Sequence, residues 1–214
     1  MEISERAQKI IAEISREGTK LGDLRKVAKE IKKDHIIAQQ IWNSGKFMPM
    51  LLAILIFDSK QFDTNTVDSL LIDINKHQED ERLQLTDWLM ANQLMKDKKL
   101  IKLILSWQNE PLPLKRRIFW YYQARLRWTG KILHDNTAEL VSEIEDRIES
   151  ETPEVQWAMN LAAGWIGVFD KAYQNRCITI GEETGLYKDE IVAKNCTPNY
   201  LPKFIEIEAN KRKL

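Results

Sequence analysis

Residues 50–57 read MLLAILIF, and residues 157–169 read WAMNLAAGWIGVF. In neither run are the apolar side chains confined to one stripe. A surface helix buries one face and keeps the other polar, so a helix that is apolar on several sides must be covered on several sides. Neither run shows the strict alternation of a half-buried strand, and no hairpin turn signal flanks either one. Two interior helices sandwiched between neighbours account for both, and they set the expectation of an all-helical chain built in layers.

Amphipathic segments surround these two runs. Ile3, Ala7, Ile10, Ile11 and Ile14 share one face of a first helix, which Gly18 ends. Leu21 to Ile31 repeats the pattern, and Ile36 to Trp42 continues to a break at Asn43-Ser44-Gly45. The same spacing predicts helices over Lys46–Phe57, Val67–Lys76, Arg82–Met95, Lys98–Gln108, Leu114–Trp128, Ala138–Glu149, Pro153–Val168 and Lys171–Thr184. Asp63-Thr64-Asn65-Thr66, Pro111-Leu112-Pro113, Thr129-Gly130 and Thr152-Pro153 separate them, all of them helix-ending or helix-starting sequences. Antiparallel pairs stacked in a row satisfy such short connections. After Gly185, Pro198 and Pro202 argue against a continuous helix, so residues 185–214 are expected to form an extended strap and frayed tail. Tyr187, Ile191, Tyr200, Leu201 and Phe204 would anchor it.

A chain of 214 residues, 43% hydrophobic and 30% charged, fits one domain spanning 1–214. Its 32 basic and 32 acidic residues cancel, so any attraction for a polyanion has to be local. Phe47 to Phe57 covers about half of the ~20 residues a bilayer crossing needs, so no membrane association is expected. The amino terminus lacks the apolar centre of a secretory signal. Cys177 and Cys196 cannot staple a chain of this size, which fits a reducing, cytoplasmic setting. His35, His77 and His134 sit in no metal-ligand spacing, and P-loop, GxGxxG and GxSxG patterns are absent. No metal and no cofactor are expected.

Three segments carry a likeness to a known family: LGDLRKVAKEIKKDHIIAQQIWNSGKFMPMLLAILIFD (21–58), LTDWLMANQLMKDKKLIKLILSWQNEPLPLKRRIFWYYQARL (85–126) and VQWAMNLAAGWIGVFDKAYQNRCITIGEETGLYKDEIVAKNCTPNYLP (155–202). Together they resemble the DNA alkylation repair family, whose members are HEAT-like helical solenoids that bind duplex DNA. The resemblance implies a HEAT-like α-α superhelix and duplex DNA as the partner. It also implies excision of cationic N3- or N7-alkylated purines, with an Asp, an Arg and two Trp in a cleft. A cationic base is a good leaving group, and a carboxylate stabilises the oxocarbenium-like sugar it leaves behind. Aromatic faces attract the same cation.

Matched by position, Asp87 is the catalytic carboxylate and Arg117 the arginine, with Arg116 and Lys115 beside it. Leu83 and Asn160 stand where active members carry Trp, so both aromatic walls depart from the pattern. Trp88, Trp120, Tyr121 and Trp157 are the nearest rings in sequence that could replace them. Lys98, Lys99, Lys102 and Arg125 extend the basic candidates for phosphate contact. Of the seven Trp, Trp42, Trp107 and Trp165 read as core anchors. Three readings stay open: an alkylpurine glycosylase, a DNA-binding relative that excises nothing, and a helical scaffold for a protein partner of unknown identity. Short interhelical loops suggest a monomer.

Overall fold

The computed structural model describes residues 3–132 and 134–214, and these divide into two compact units, Met1–Ser106 and Trp107–Leu214. The first unit holds α1 (Glu5–Ile14), α2 (Leu21–Ile31), α3 (His35–Trp42), α4 (Phe47–Ile56), α5 (Thr64–Ile74), α6 (Glu79–Asn92) and α7 (Lys98–Leu105). The second holds α8 (Pro113–Arg127), α9 (Thr137–Arg147), α10 (Pro153–Phe169), α11 (Gln174–Thr184) and α12 (Leu201–Arg212). There is no strand among the described residues. Each of the eleven helices expected from the sequence is present, with ends shifted by a few residues.

In the first unit α4 is the central helix, packed on α2, α3 and α6. Met50 to Ile54 and Ile56 are all buried, as the absence of a polar face requires. Such a helix needs its terminal carbonyls satisfied without water. Lys33 donates to the carbonyls of Leu55 (3.1 Å) and Phe57 (2.7 Å), and the Asp34 amide to that of Ile56 (3.0 Å). Gln93 reaches across from the end of α6 to the carbonyls of Ile54 and Phe57. Burial, reinforced by nearby Lys96, pulls the Lys33 ammonium below its usual pKa range. Asp34, Asp63 and Asp97 cap α3, α5 and α7 through backbone amides.

In the second unit α10 is the sandwiched helix, in contact with α8, α9, α11 and α12. The expectation of a strap over 185–214 needs correction. Residues 185–200 are irregular, but Leu201–Arg212 is a regular helix with Pro202 in its first turn, where a missing N–H leaves no bond unmade. Leu201 and Phe204 are buried as expected, whereas Ile191 is 98% exposed and anchors nothing. Lys211 and Arg212, expected to lie in the tail, belong to this helix and both bind Glu208.

Glycines let α12 dock closely. A methyl at Gly181 of α11 would lie 2.7 Å from Leu201 Cβ, and one at Gly164 of α10 would lie 2.7 Å from the Phe204 ring. Trp42 and Trp107 are buried as expected. Trp165 is only half-buried, with Arg212 4.8 Å over its ring and Phe204 meeting it edge-on. No helix among the described residues is long and apolar enough to cross a membrane.

Candidate nucleic-acid face

Pro113 opens α8 at a position where its fixed φ suits the first helical turn. Along this helix Arg117, Tyr121, Arg125 and Trp128 follow one another at intervals of four, four and three residues, which places them on one face. Cations and rings alternate along the file. Arg117 is 4% exposed, donates to the Glu154 carbonyl (2.8 Å) and lies 4.6 Å from the centre of the Trp157 ring on α10. Trp157 meets Tyr121 edge-on, with centroids 5.5 Å apart. Arg125 lies 5.9 Å from the Tyr121 ring and 4.9 Å from that of Trp128.

The guanidinium of Arg125 is thus held by two rings. It forms no ion pair among the described residues, and its Nε–H is buried without an acceptor. Tyr187, in the irregular segment before α12, titrates above its ordinary range because burial and Glu190 disfavour the phenolate, with Arg117 opposing them.

The neighbouring sequence candidates are placed differently. Arg116 forms a paired contact with Glu151 (Nη2 to Oε2, 2.8 Å) and also donates to the carbonyls of Glu110 (2.7 Å) and Pro111 (2.9 Å). All three of its nitrogens are therefore committed to holding the start of α8. Lys115 lies 3.2 Å from Glu110 and 5.6 Å over the Trp107 ring. Trp120 is 1% exposed and packs edge-on against Phe119, so its ring faces the interior and cannot wall a cleft. Arg127, two residues after Arg125, is also buried. It bonds the Gln123 side chain (2.9 Å) and Asn136 (2.7 Å), and burial lowers its pKa to about 10 against the pull of Asp170.

In the first unit Asp87 sits half-buried on α6, one turn after half-buried Leu83. The Trp88 indole N–H is taken by the Leu51 carbonyl (3.1 Å), and Arg25 lies 4.9 Å over its ring. Lys98, Lys99 and Lys102 are exposed on α7, opposite buried Leu100 and Ile104. Asn160, at the second aromatic position of the resemblance, is 3% exposed and donates to the Asn199 carbonyl (2.8 Å).

Sequence reasoning named Tyr121 and Arg125 without joining them to each other or to Trp128. The signal that joins them was the spacing of 117, 121, 125 and 128 on one helix. The pairing of Arg25 with Trp88 carried no comparable signal, because the two lie on different helices.

Residues 3–166 match the family model described as DNA alkylation repair enzyme. No curated protein matches the chain. A solved structure aligns with 98% of this chain and 88% of its own length, at a TM-score of 0.67 and 18% identity. It is described as belonging to a new family of proteins related to the HEAT-like repeat DNA glycosylases, with affinity for branched DNA structures. At that identity the likeness is one of fold, and the fold is HEAT-like.

Proposed function

We propose that this chain, which belongs to the DNA alkylation repair family, binds DNA through the cation-and-ring file of α8 and does not excise alkylated bases. The file itself carries the reading. Guanidinium groups recognise phosphate and aromatic faces recognise bases, and the C-terminal end of the file offers one of each in Arg125 and exposed Trp128, whereas Arg117 is buried against Trp157. Within the first unit, exposed Lys98, Lys99 and Lys102 on α7 are a separate concentration of positive charge in a chain whose net charge is zero. Branched DNA, for which the family of the solved relative has affinity, is the preferred ligand.

The case against excision is also one of rings. A cationic alkylpurine needs an unclaimed aromatic face, worth about tenfold in binding for each ring lost. Trp157 and Trp88 are half-buried and each is covered by an arginine, Arg117 and Arg25, while Trp120 is buried, so little of any of these rings is open. Leu83 supplies no π-face, and the Asn160 amide is spent on Asn199.

Asp87 supports a second reading, because this half-buried residue of α6 is the one that the sequence resemblance matches to the catalytic carboxylate of active members of the family. Two measurements decide between the readings. Affinity for a three-way DNA junction should fall steeply between low and moderate salt, with a log–log slope of about −0.9 per phosphate contact. No binding even at low salt would leave a protein scaffold instead. Incubation with methylated duplex should release no 7-methylguanine; release by wild type that Asp87→Asn abolishes would establish the glycosylase.

A further inference from the structure

We infer that Arg125 and Trp128 form a seat for one unpaired nucleotide of DNA, the phosphate on Arg125 and the base stacked on Trp128. The inference rests on the DNA-binding reading and adds what that reading leaves open, the feature of DNA that is recognised.

Consider first the cation. Several arginines in this chain are held by acidic partners, as Arg116 is by Glu151, Arg147 by Glu143 and Glu151, and Arg176 by Glu145. Arg125 is held by Tyr121 and Trp128 alone, with no ion pair among the described residues and a buried Nε–H lacking an acceptor. Stacking fixes the plane of a guanidinium while leaving its charge uncompensated. Such a group is organised for an external anion with two acceptor oxygens, and a phosphodiester has them.

Next comes the ring. Trp128 is 47% exposed, and Arg125 is its only cationic or aromatic neighbour among the described residues. Backbone hydrogen bonds tie down the turn that carries it. The Trp128 amide bonds the Ala124 carbonyl (3.0 Å) and the Gly130 amide bonds that of Arg127 (2.8 Å). Gly130 adopts φ +62° and presses so closely on Phe169 that a methyl there would lie 2.1 Å from the ring. Beneath the turn, the buried Arg127 ties the end of α8 to Asn136 at the start of α9. An exposed indole on a pinned turn gives up little conformational entropy on meeting a second ring.

Exposed Lys131 and Ile132 (66% exposed) follow within four residues, so a second cation lies close in sequence to Arg125 and Trp128. That charge selects a polyanion over a protein's apolar patch as the occupant. Within a continuous duplex every base is already stacked, and exposing one costs a few kcal/mol. A fork, flap or junction offers an unstacked base at no such cost. The seat therefore discriminates for strand discontinuities.

The test compares three DNAs of matched duplex length by fluorescence anisotropy at low salt: a continuous duplex, a fork with single-stranded arms and a three-way junction. Wild type should bind the fork and the junction more tightly than the duplex. Trp128→Ala should weaken fork and junction binding by about five- to a hundredfold, the worth of one base–aromatic stack, and weaken duplex binding by clearly less, so that the preference for fork and junction shrinks. Trp128→Phe should retain most of the preference. Unchanged melting temperatures in both variants would show that the fold is intact. Equal losses on all three DNAs, or no loss on any, would overturn the seat while leaving DNA binding standing. Failure of wild type to bind any of them would remove both readings.

Discussion

Glu208 on α12 shows how one side chain can hold a whole segment. It is 7% exposed and receives hydrogen bonds from Thr197, Lys211 and Arg212, and its grip holds Arg212 over the Trp165 ring. Burial alone would raise its pKa. The bonds from Lys211, Thr197 and Arg212 outweigh burial and depress it from 4.5 to about 2. A carboxylate depressed in the folded state stabilises fully above its unfolded pKa, and that stabilisation fades as the pH falls toward the folded value. Glu208→Gln should therefore lower the stability of the second unit by about 2 kcal/mol at neutral pH. In thermal melts the gap between variant and wild type should close as the pH drops from about 4.5 toward 2. A gap independent of pH in that window would assign the effect to packing instead. None of this was legible from sequence, because an acidic residue in a Lys-rich tail reads as a solvated surface.

At the scale of the element, α12 and α8 teach opposite lessons. Pro198 and Pro202 dominated the sequence reading of the C-terminal segment, yet Pro202 sits where a proline initiates a helix, and Leu201, Phe204, Ile205 and Ala209 bury the inner face. The missing information lay on other helices, in glycines whose partners are distant in sequence. At Gly181 the obstacle to a side chain is the Leu201 Cβ and the Pro202 ring, neither of which is the end of a flexible chain. Gly181→Ala should therefore cost about 1 to 3 kcal/mol, despite the better helix propensity of alanine. Urea denaturation measures the difference. A neutral or stabilising effect would mean that α12 is held less closely than described. On α8, by contrast, helix limits and the file of Arg117, Tyr121, Arg125 and Trp128 could be read directly from periodicity. What periodicity could not convey was which cations are already paired, and that separates Arg116 from Arg125.

At the scale of the molecule, the two runs without a polar face became α4 and α10, the sandwiched helices of the two units, for the reason their patterning gave. The boundary at Ser106 and Trp107 was not legible. No run of Pro, Gly or Ser marks it, and Trp107 itself is buried. A chain with no net charge binds DNA only where its cations are concentrated and unpaired, so single residues should carry measurable shares of the salt dependence. The most direct measurement is the salt dependence of three-way-junction binding for wild type and Arg125→Ala, with Arg176→Ala, an arginine paired to Glu145, as the control. Loss of Arg125 should weaken binding and reduce the magnitude of the log–log slope by about one, the signature of one lost phosphate contact, while the control leaves both unchanged. An Arg125→Ala protein with the affinity and slope of wild type would contradict the assignment of DNA binding to the α8 face.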